Sequence, residues 1–332
     1  MNKHSVDTLA GAVLAGERPA LARAITLVES DRSDHRDQAE VLLSALMSQT
    51  GGSRRVGITG VPGVGKSTFI EVLGLQAIAA GHRVAVLTVD PSSVISGGSI
   101  LGDKTRMPEL STQPAAFIRP SPAGTSEGGV ARRTREALYL CEAAGFDLVI
   151  VETVGVGQSE LRVAEMTDFF LLLLLPSGGD ELQGIKRGVM ELADLILVNK
   201  ADGDLRNAAN RTVAEYRQAT GLLQPRTPGW EVPVQAVSAL AQEGIVEVLT
   251  LIERCWQGMR ENGTLDLRRA EQARQWLRQE LREGLLEWFM ADSGSQRQLA
   301  RAEDDVAAAR LPATVAARRL LTFFAGNSEK ET

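Results

Sequence analysis

The chain has 332 residues, 44% hydrophobic and 23% charged, enough for one large α/β domain with additions or for two domains, and unlike wholesale disorder. A formal net charge of -6 gives no global attraction for nucleic acid or an anionic membrane, so neither is an expected partner. Cys141 and Cys255 are the two cysteines and have no C-x-x-C spacing, which excludes a disulfide framework or structural zinc site and, with a polar start lacking an apolar signal core, suits a cytoplasmic protein.

Residues 4–50 carry helical signals. Leu9, Val13 and Leu14 make one apolar stripe; Leu21, Ile25 and Val28 make a second, behind a first-turn Pro19; Val41, Leu42, Ala45 and Leu46 make a third. Gly51-Gly52 ends this segment, and 1–52 is expected to be an N-terminal helical extension.

Residues 54–68, RRVGITGVPGVGKST, then read as a short buried strand, a glycine-rich loop and the start of a helix. Gly60, Gly65, Lys66 and Ser67 fit G-x-x-x-x-G-K-[ST]. In that loop (Gly60, Val61, Pro62, Gly63, Val64, Gly65, Lys66, Ser67, Thr68) glycines let backbone N–H groups close around phosphate oxygens at a helix N-terminus. Lys66 is placed to reach the β- and γ-phosphates, and the Ser67 hydroxyl to ligate Mg²⁺.

From there to about residue 256 strand and helix patterns alternate, which predicts a mainly parallel sheet flanked by helices. Strands are expected at 54–59, 83–89, 115–118, 147–152, 168–175, 194–199 and 232–237. Helices are expected at 66–80, 128–144, 159–166, 184–192, 204–220 and 243–258. The apolar run from Phe169 to Leu175 is too short to span a bilayer and reads as a buried central strand. Right-handed crossovers would gather the strand C-terminal ends, and the polar segments that follow them, along one edge.

Four such segments carry candidate chemistry. After the second strand, Asp90 is placed to order an attacking water or a metal shell, and Asp103 is a second metal candidate, across a Ser/Gly-rich loop. After the fourth, Glu152-Thr153-Val154-Gly155 puts a carboxylate at a strand end and a glycine three residues on, suiting Mg²⁺ and the γ-phosphate; Gln158 would orient water or, with Ser159, cap a helix. After the fifth, residues 176–188 (PSGGDELQGIKRG) exceed what a strand–helix connection needs, which points to a partner-reading segment. After the sixth, Asn199-Lys200-Ala201-Asp202 supplies a carboxylate able to accept from guanine N1–H and its exocyclic amine, selecting GTP over ATP. Asn199 would hold the loop and touch the base edge, the Lys200 stem would cover the base face, and Ser238-Ala239-Leu240 would offer a backbone N–H to guanine O6. Beyond residue 262 the alternation stops; Leu277, Leu281, Leu285 and Trp288 share one helical face, and Val315, Leu320, Leu321 and Phe324 another.

Together, Gly60–Thr68, DPSS at 90–93, GGSILGDKTRM at 97–107, ETVGVGQS at 152–159 and DELQGIK at 180–186 resemble the methylmalonyl-CoA mutase-associated GTPases, often called MeaB or ArgK. The resemblance covers nearly the whole chain. It implies a P-loop NTPase fold with N-terminal (1–52) and C-terminal (261–332) helical extensions around a GTPase domain at 53–260. It implies a homodimer with C-terminal helices in the contact, and slow GTP hydrolysis coupled to adenosylcobalamin-dependent methylmalonyl-CoA mutase, whose cofactor loading and protection it gates. Segments 90–107, 152–160 and 177–188 would act as switches, and Mg²⁺ contacts fall on Ser67, Asp90, Asp103 and Glu152. Lys66, Asp90, Glu152 and Lys186 are the candidate catalytic residues, with Arg106 and Arg119 as further candidates for a finger. A P-loop kinase passing the γ-phosphate to a small molecule or protein is the alternative.

Overall fold

The computed structural model describes residues 3–89, 106–121, 127–153, 159–176 and 187–328. They fall into two compact units, Met1–Gln272 and Ala273–Thr332.

The first unit is built on seven parallel strands: β1 (Arg54–Gly60), β2 (Val84–Val89), β3 (Ala116–Ser121), β4 (Leu148–Thr153), β5 (Phe169–Leu174), β6 (Leu195–Val198) and β7 (Val234–Ala236). Their order across the sheet is β3-β2-β4-β1-β5-β6-β7, so the chain leaves β1 toward one side and later builds out the other. Each expected strand is present within two or three residues at its ends. The last is the shortest, because Pro233 has no N–H and enters the ladder only through its carbonyl, which accepts from Ile196 N at 3.0 Å.

Burial on both faces explains why the strands read as continuous apolar runs. Within β5, Phe169, Leu171 and Leu173 join one core cluster, Phe170 a second, and Leu172 and Leu174 a third. The first cluster receives Phe69, Ile70 and Leu73 of α4 (Lys66–Ala79) and Val248 and Ile252 of the later helix Ile245–Glu261. On the other face lie α1 (Lys3–Leu14), α2 (Arg18–Val28) and α3 (Ser33–Leu46), packed with Leu138 and Cys141 of the helix Glu127–Ala143. The N-terminal helices thus complete a core layer of the sheet. Leu14 and Val41, expected in the buried stripes, are exposed. The buried face of α1 is Val6, Leu9, Ala10 and Val13, at helical spacing, and Leu14 lies about 100° past it.

Among the described residues the remaining α-helices are α5 (Pro108–Thr112), α6 (Glu127–Ala143), α7 (Ser159–Ala164), α8 (Arg187–Leu192), α9 (Arg206–Thr220), α10 (Ile245–Glu261), α11 (Thr264–Ala291), α12 (Ser293–Ala307) and α13 (Ala313–Ser328). The one-turn α5 is fixed on α4: the Glu71 carboxylate accepts from Glu109 N at 2.8 Å, and a Cβ at Gly74 would come within 2.8 Å of Leu110. Among the described residues no helix is long and apolar enough to cross a membrane.

A buried ionic network closes the sheet at the opposite end from the candidate site. Arg55 donates to Glu142 through Nε at 2.8 Å and Nη2 at 2.9 Å, and Glu142 also accepts from Ser53 Oγ and Gly51 N. Arg269 of α11 grips Asp168 through Nε and Nη2 at 2.9 and 2.6 Å, and Arg226 meets Asp194 at 3.1 Å. Glu142 and Arg55 are almost wholly buried, so removing one leaves an uncompensated charge. Glu142→Ala is expected to destabilise the unit by about 3–5 kcal/mol, read by urea unfolding, and an R55M/E142L double variant by about 1–3 kcal/mol, the cost of the Ser53 hydroxyl it leaves unpaired.

In the second unit, Phe324 of α13 stacks edge-on with Trp288 and Phe289 of α11, at centroid distances of 4.8 and 5.3 Å. Asp292 caps α12, its carboxylate accepting from Ser295 N at 2.7 Å and Gly294 N at 3.3 Å.

Candidate active site

β1 delivers the glycine-rich loop at the centre of the sheet's C-terminal edge. Gly60 is the turn: at φ 155° its absent Cβ would stand 2.5 Å from the Leu173 carbonyl oxygen. Gly65, at φ 95°, is the N-cap of α4, where a Cβ would meet Asn199 Nδ2 at 2.8 Å. No side chain caps that helix, so its first-turn N–H groups are left for an anion. Lys66 is only 8% exposed, and its Nζ donates back to the carbonyls of Gly60 and Val61 at 2.8 and 3.2 Å. Burial, before any other cause, lowers its pKa; Glu152 and Glu160 oppose the shift and Arg106 adds to it. An ammonium held over the loop by two backbone carbonyls is poised to gain from a phosphate.

β4 brings Glu152 beside the start of α4. Ser67 Oγ donates to Glu152 Oε1 at 3.4 Å, and Glu152 is buried. A hydroxyl and a carboxylate at that spacing are the hard oxygen donors a small divalent cation takes. Among the described residues there is no group of three or more His, Cys, Asp or Glu side chains able to hold a metal. Asp90, Asp103 and Lys186 lie outside the described residues, as do Gly155, Gln158 and most of 90–107 and 177–188.

The loops after β6 and β7 meet the phosphate loop through one side chain. Asn199, 2% exposed, donates from Nδ2 to Val64 O at 2.9 Å and accepts at Oδ1 from Ala239 N at 3.0 Å. Both ends of its amide therefore serve as ties between the three loops. Lys200 sits at φ 60° and sends Nζ to Gly63 O at 2.7 Å, laying its stem along the loop. Asp202 Oδ2 accepts from Ser238 Oγ, and that oxygen accepts from Ala241 N at 3.0 Å. The N–H groups of Ser238 and Ala239 are engaged by Glu243 O and Asn199 Oδ1, while Leu240 stands exposed at the rim.

Phosphate loop, strand-end carboxylate and Asn-Lys-x-Asp loop thus share one edge, and the comparisons with known proteins agree with that layout. Residues 21–294 match the family described as methylmalonyl Co-A mutase-associated GTPase MeaB. The chain belongs to the MeaB family. A putative GTPase of Caulobacter vibrioides is 54% identical over 96% of this chain and 98% of its own. The mitochondrial methylmalonic aciduria type A homolog of Mus musculus is 45% identical over 96% of this chain and 79% of its own. A solved structure titled as an LAO/AO transport system kinase superposes with a TM-score of 0.79 at 37% identity, covering 98% of this chain and 99% of that one. As a MeaB-family member the chain is a P-loop GTPase, and the family match does not favour the phosphotransferase alternative.

In this MeaB-family chain, two features of the edge escaped the sequence reading. Thr59 and Thr153, at the ends of β1 and β4, share a buried hydroxyl–hydroxyl bond of 2.7 Å. Two threonines preceding the first loop glycine and following the strand-end carboxylate are the signal that would have found them. Arg119, a finger candidate, is bound to Thr26 of α2 and to Glu29, the residue that follows that helix, tying β3 to the N-terminal helices.

Proposed function

We propose that this GTPase gates adenosylcobalamin loading and protection of methylmalonyl-CoA mutase, hydrolysing GTP slowly as the signal. The observation that carries the reading is the family match over 21–294, whose description joins the GTPase to that mutase. Lys66 and the loop backbone hold the phosphates, Asp202 and Ser238 read the guanine, and the Leu240 N–H is left to meet its O6. Ser67 and Glu152, with Asp90 and Asp103, would hold Mg²⁺, which neutralises phosphate charge when bound. Asp90 and Lys186 are the further catalytic candidates.

The C-terminal region 261–332 is assigned to homodimer contact. Leu277, Leu281 and Leu321 are 69%, 61% and 63% exposed, an apolar surface suited to a second copy. A cytoplasmic setting fits a GTPase serving such a partner.

The test is a pull-down of mutase by the full chain with GDP, with a non-hydrolysable GTP analogue and without nucleotide, alongside phosphate release with and without mutase. Nucleotide-dependent capture and faster release are expected. Equal capture in every state with an unchanged rate would overturn the coupling, and labelled phosphate on an acceptor would restore the kinase alternative.

A further inference from the structure

The sheet has a seam where the site begins. The β1–β4 ladder runs from Arg54↔Leu148 to Ile58↔Glu152. One step on, β1 continues with β5 through Gly60↔Leu173, whereas β4 continues with β2 through Val89↔Thr153. Across the gap between them stand Thr59 and Thr153, 1% and 0% exposed, with Oγ1 atoms 2.7 Å apart. Thr59 immediately precedes Gly60, and Thr153 immediately follows Glu152. By strand alternation both hydroxyls leave the face opposite Ile58 and Glu152, so neither points toward Ser67 or the phosphate loop.

We propose that the Thr59–Thr153 hydroxyl pair is a positioning latch for hydrolysis, setting the width of this seam and with it the separation of the phosphate loop from the Glu152 carboxylate. This rests on the reading of Ser67 and Glu152 as metal-holding groups. The magnitude follows from contact distances. A hydroxyl pair closes to 2.7 Å, whereas two methyl groups in van der Waals contact stay about 3.5–4.0 Å apart. Replacing the pair by valines would open the seam by about 1 Å. The Ser67–Glu152 separation is 3.4 Å, so a shift of that size is large on the scale of the site. A misplacement of about 1 Å can cost up to a hundredfold in rate. Neither threonine touches the reacting atoms; each acts through the residue beside it.

The experiment uses the full chain carrying Thr59→Val, Thr153→Val, both together, and Thr153→Ser. Four quantities are read: fluorescent GDP affinity in EDTA, Mn²⁺ affinity of the GDP complex by EPR, kcat with its Mg²⁺ dependence, and urea unfolding. Each valine single variant leaves a buried hydroxyl without its partner, whereas the double variant is an isosteric apolar pair and should be nearly as stable as wild type. Metal-free GDP affinity is expected to stay within about twofold of wild type, because the loop itself is intact. In the double variant kcat should fall about tenfold and Mn²⁺ affinity about fivefold, and Thr153→Ser should recover most of both. A double variant that is stable and keeps wild-type kcat and Mn²⁺ affinity would overturn the latch. A wild type whose turnover ignores Mg²⁺ would remove the metal reading and the latch together, before any variant is compared.

Discussion

Replacing Lys66 with alanine should cut GTP turnover by at least about a hundredfold, the usual cost of removing a buried charge that stabilises a phosphoryl transition state. The structure supplies the reason. The Lys66 ammonium is held by the Gly60 and Val61 carbonyls, oxygens that carry partial negative charge toward the phosphate path. Without the lysine those carbonyls face the phosphates uncompensated, so binding suffers as well as chemistry. Arginine should not rescue, since its planar fork does not fit a site 8% exposed and shaped for a point charge. Phosphate release and fluorescent GTP binding read the effect, and near wild-type turnover would take Lys66 out of this role. The pH dependence has a definite sign. Burial lowers the Lys66 pKa from its ordinary 10.5, and a bound anion raises it again, so binding takes up a proton where the free lysine has begun to lose one. GTP affinity should therefore fall more steeply in wild type than in Lys66→Ala as pH rises through the free lysine's depressed pKa, loss of the guanine N1 proton being common to both.

The sheet was legible because parallel strands buried on both faces leave unbroken apolar runs, and Phe169–Leu174 is the plainest. The loops were legible because phosphate and guanine recognition need fixed residues at fixed spacing after such strands. What stayed hidden was whatever depends on partners far along the chain. Asp168 and Asp194 look like ordinary strand-start polar residues, yet they anchor Arg269 and Arg226, the first of these 101 residues away. The N-K-x-D spacing places Asn199 as the holder of its loop, but its bond to Val64 O spans 135 positions and no local pattern encodes it. α5 is a single turn, too short to show a helical period, and stands on Pro108 and the Glu71 cap. Leu14 and Val41 mark the limit of stripe reading: apolar residues at the margin of a helical face are not assigned to core or solvent by spacing alone.

Asp202→Asn should lower GTP affinity about a hundredfold or more and turn preference toward xanthosine triphosphate, because the surrounding hydrogen bonds dictate how an amide must sit. The Ser238 oxygen accepts from Ala241 N at 3.0 Å, so its own hydrogen goes to Asp202 Oδ2. An asparagine would have to keep its carbonyl oxygen on Ser238 and turn its NH₂ toward the base. Guanine presents two donors there, the N1–H and the exocyclic amine, so donor would face donor. Each mismatched polar group in a desolvated pocket costs about 1–3 kcal/mol, so two cost about 4 kcal/mol at the middle of that range, beyond a hundredfold. Xanthine carries a carbonyl oxygen in place of the amine and would accept from the new NH₂. Adenine gains nothing comparable, so ATP should remain excluded. Competition of GTP, xanthosine triphosphate and ATP against fluorescent GDP separates these outcomes. An unchanged ratio of the first two would place the base away from Asp202. The variant should still fold, since an amide can keep the Ser238 bond, and urea unfolding near the wild-type midpoint would show that lost GTP affinity comes from the base contact rather than from a collapsed loop.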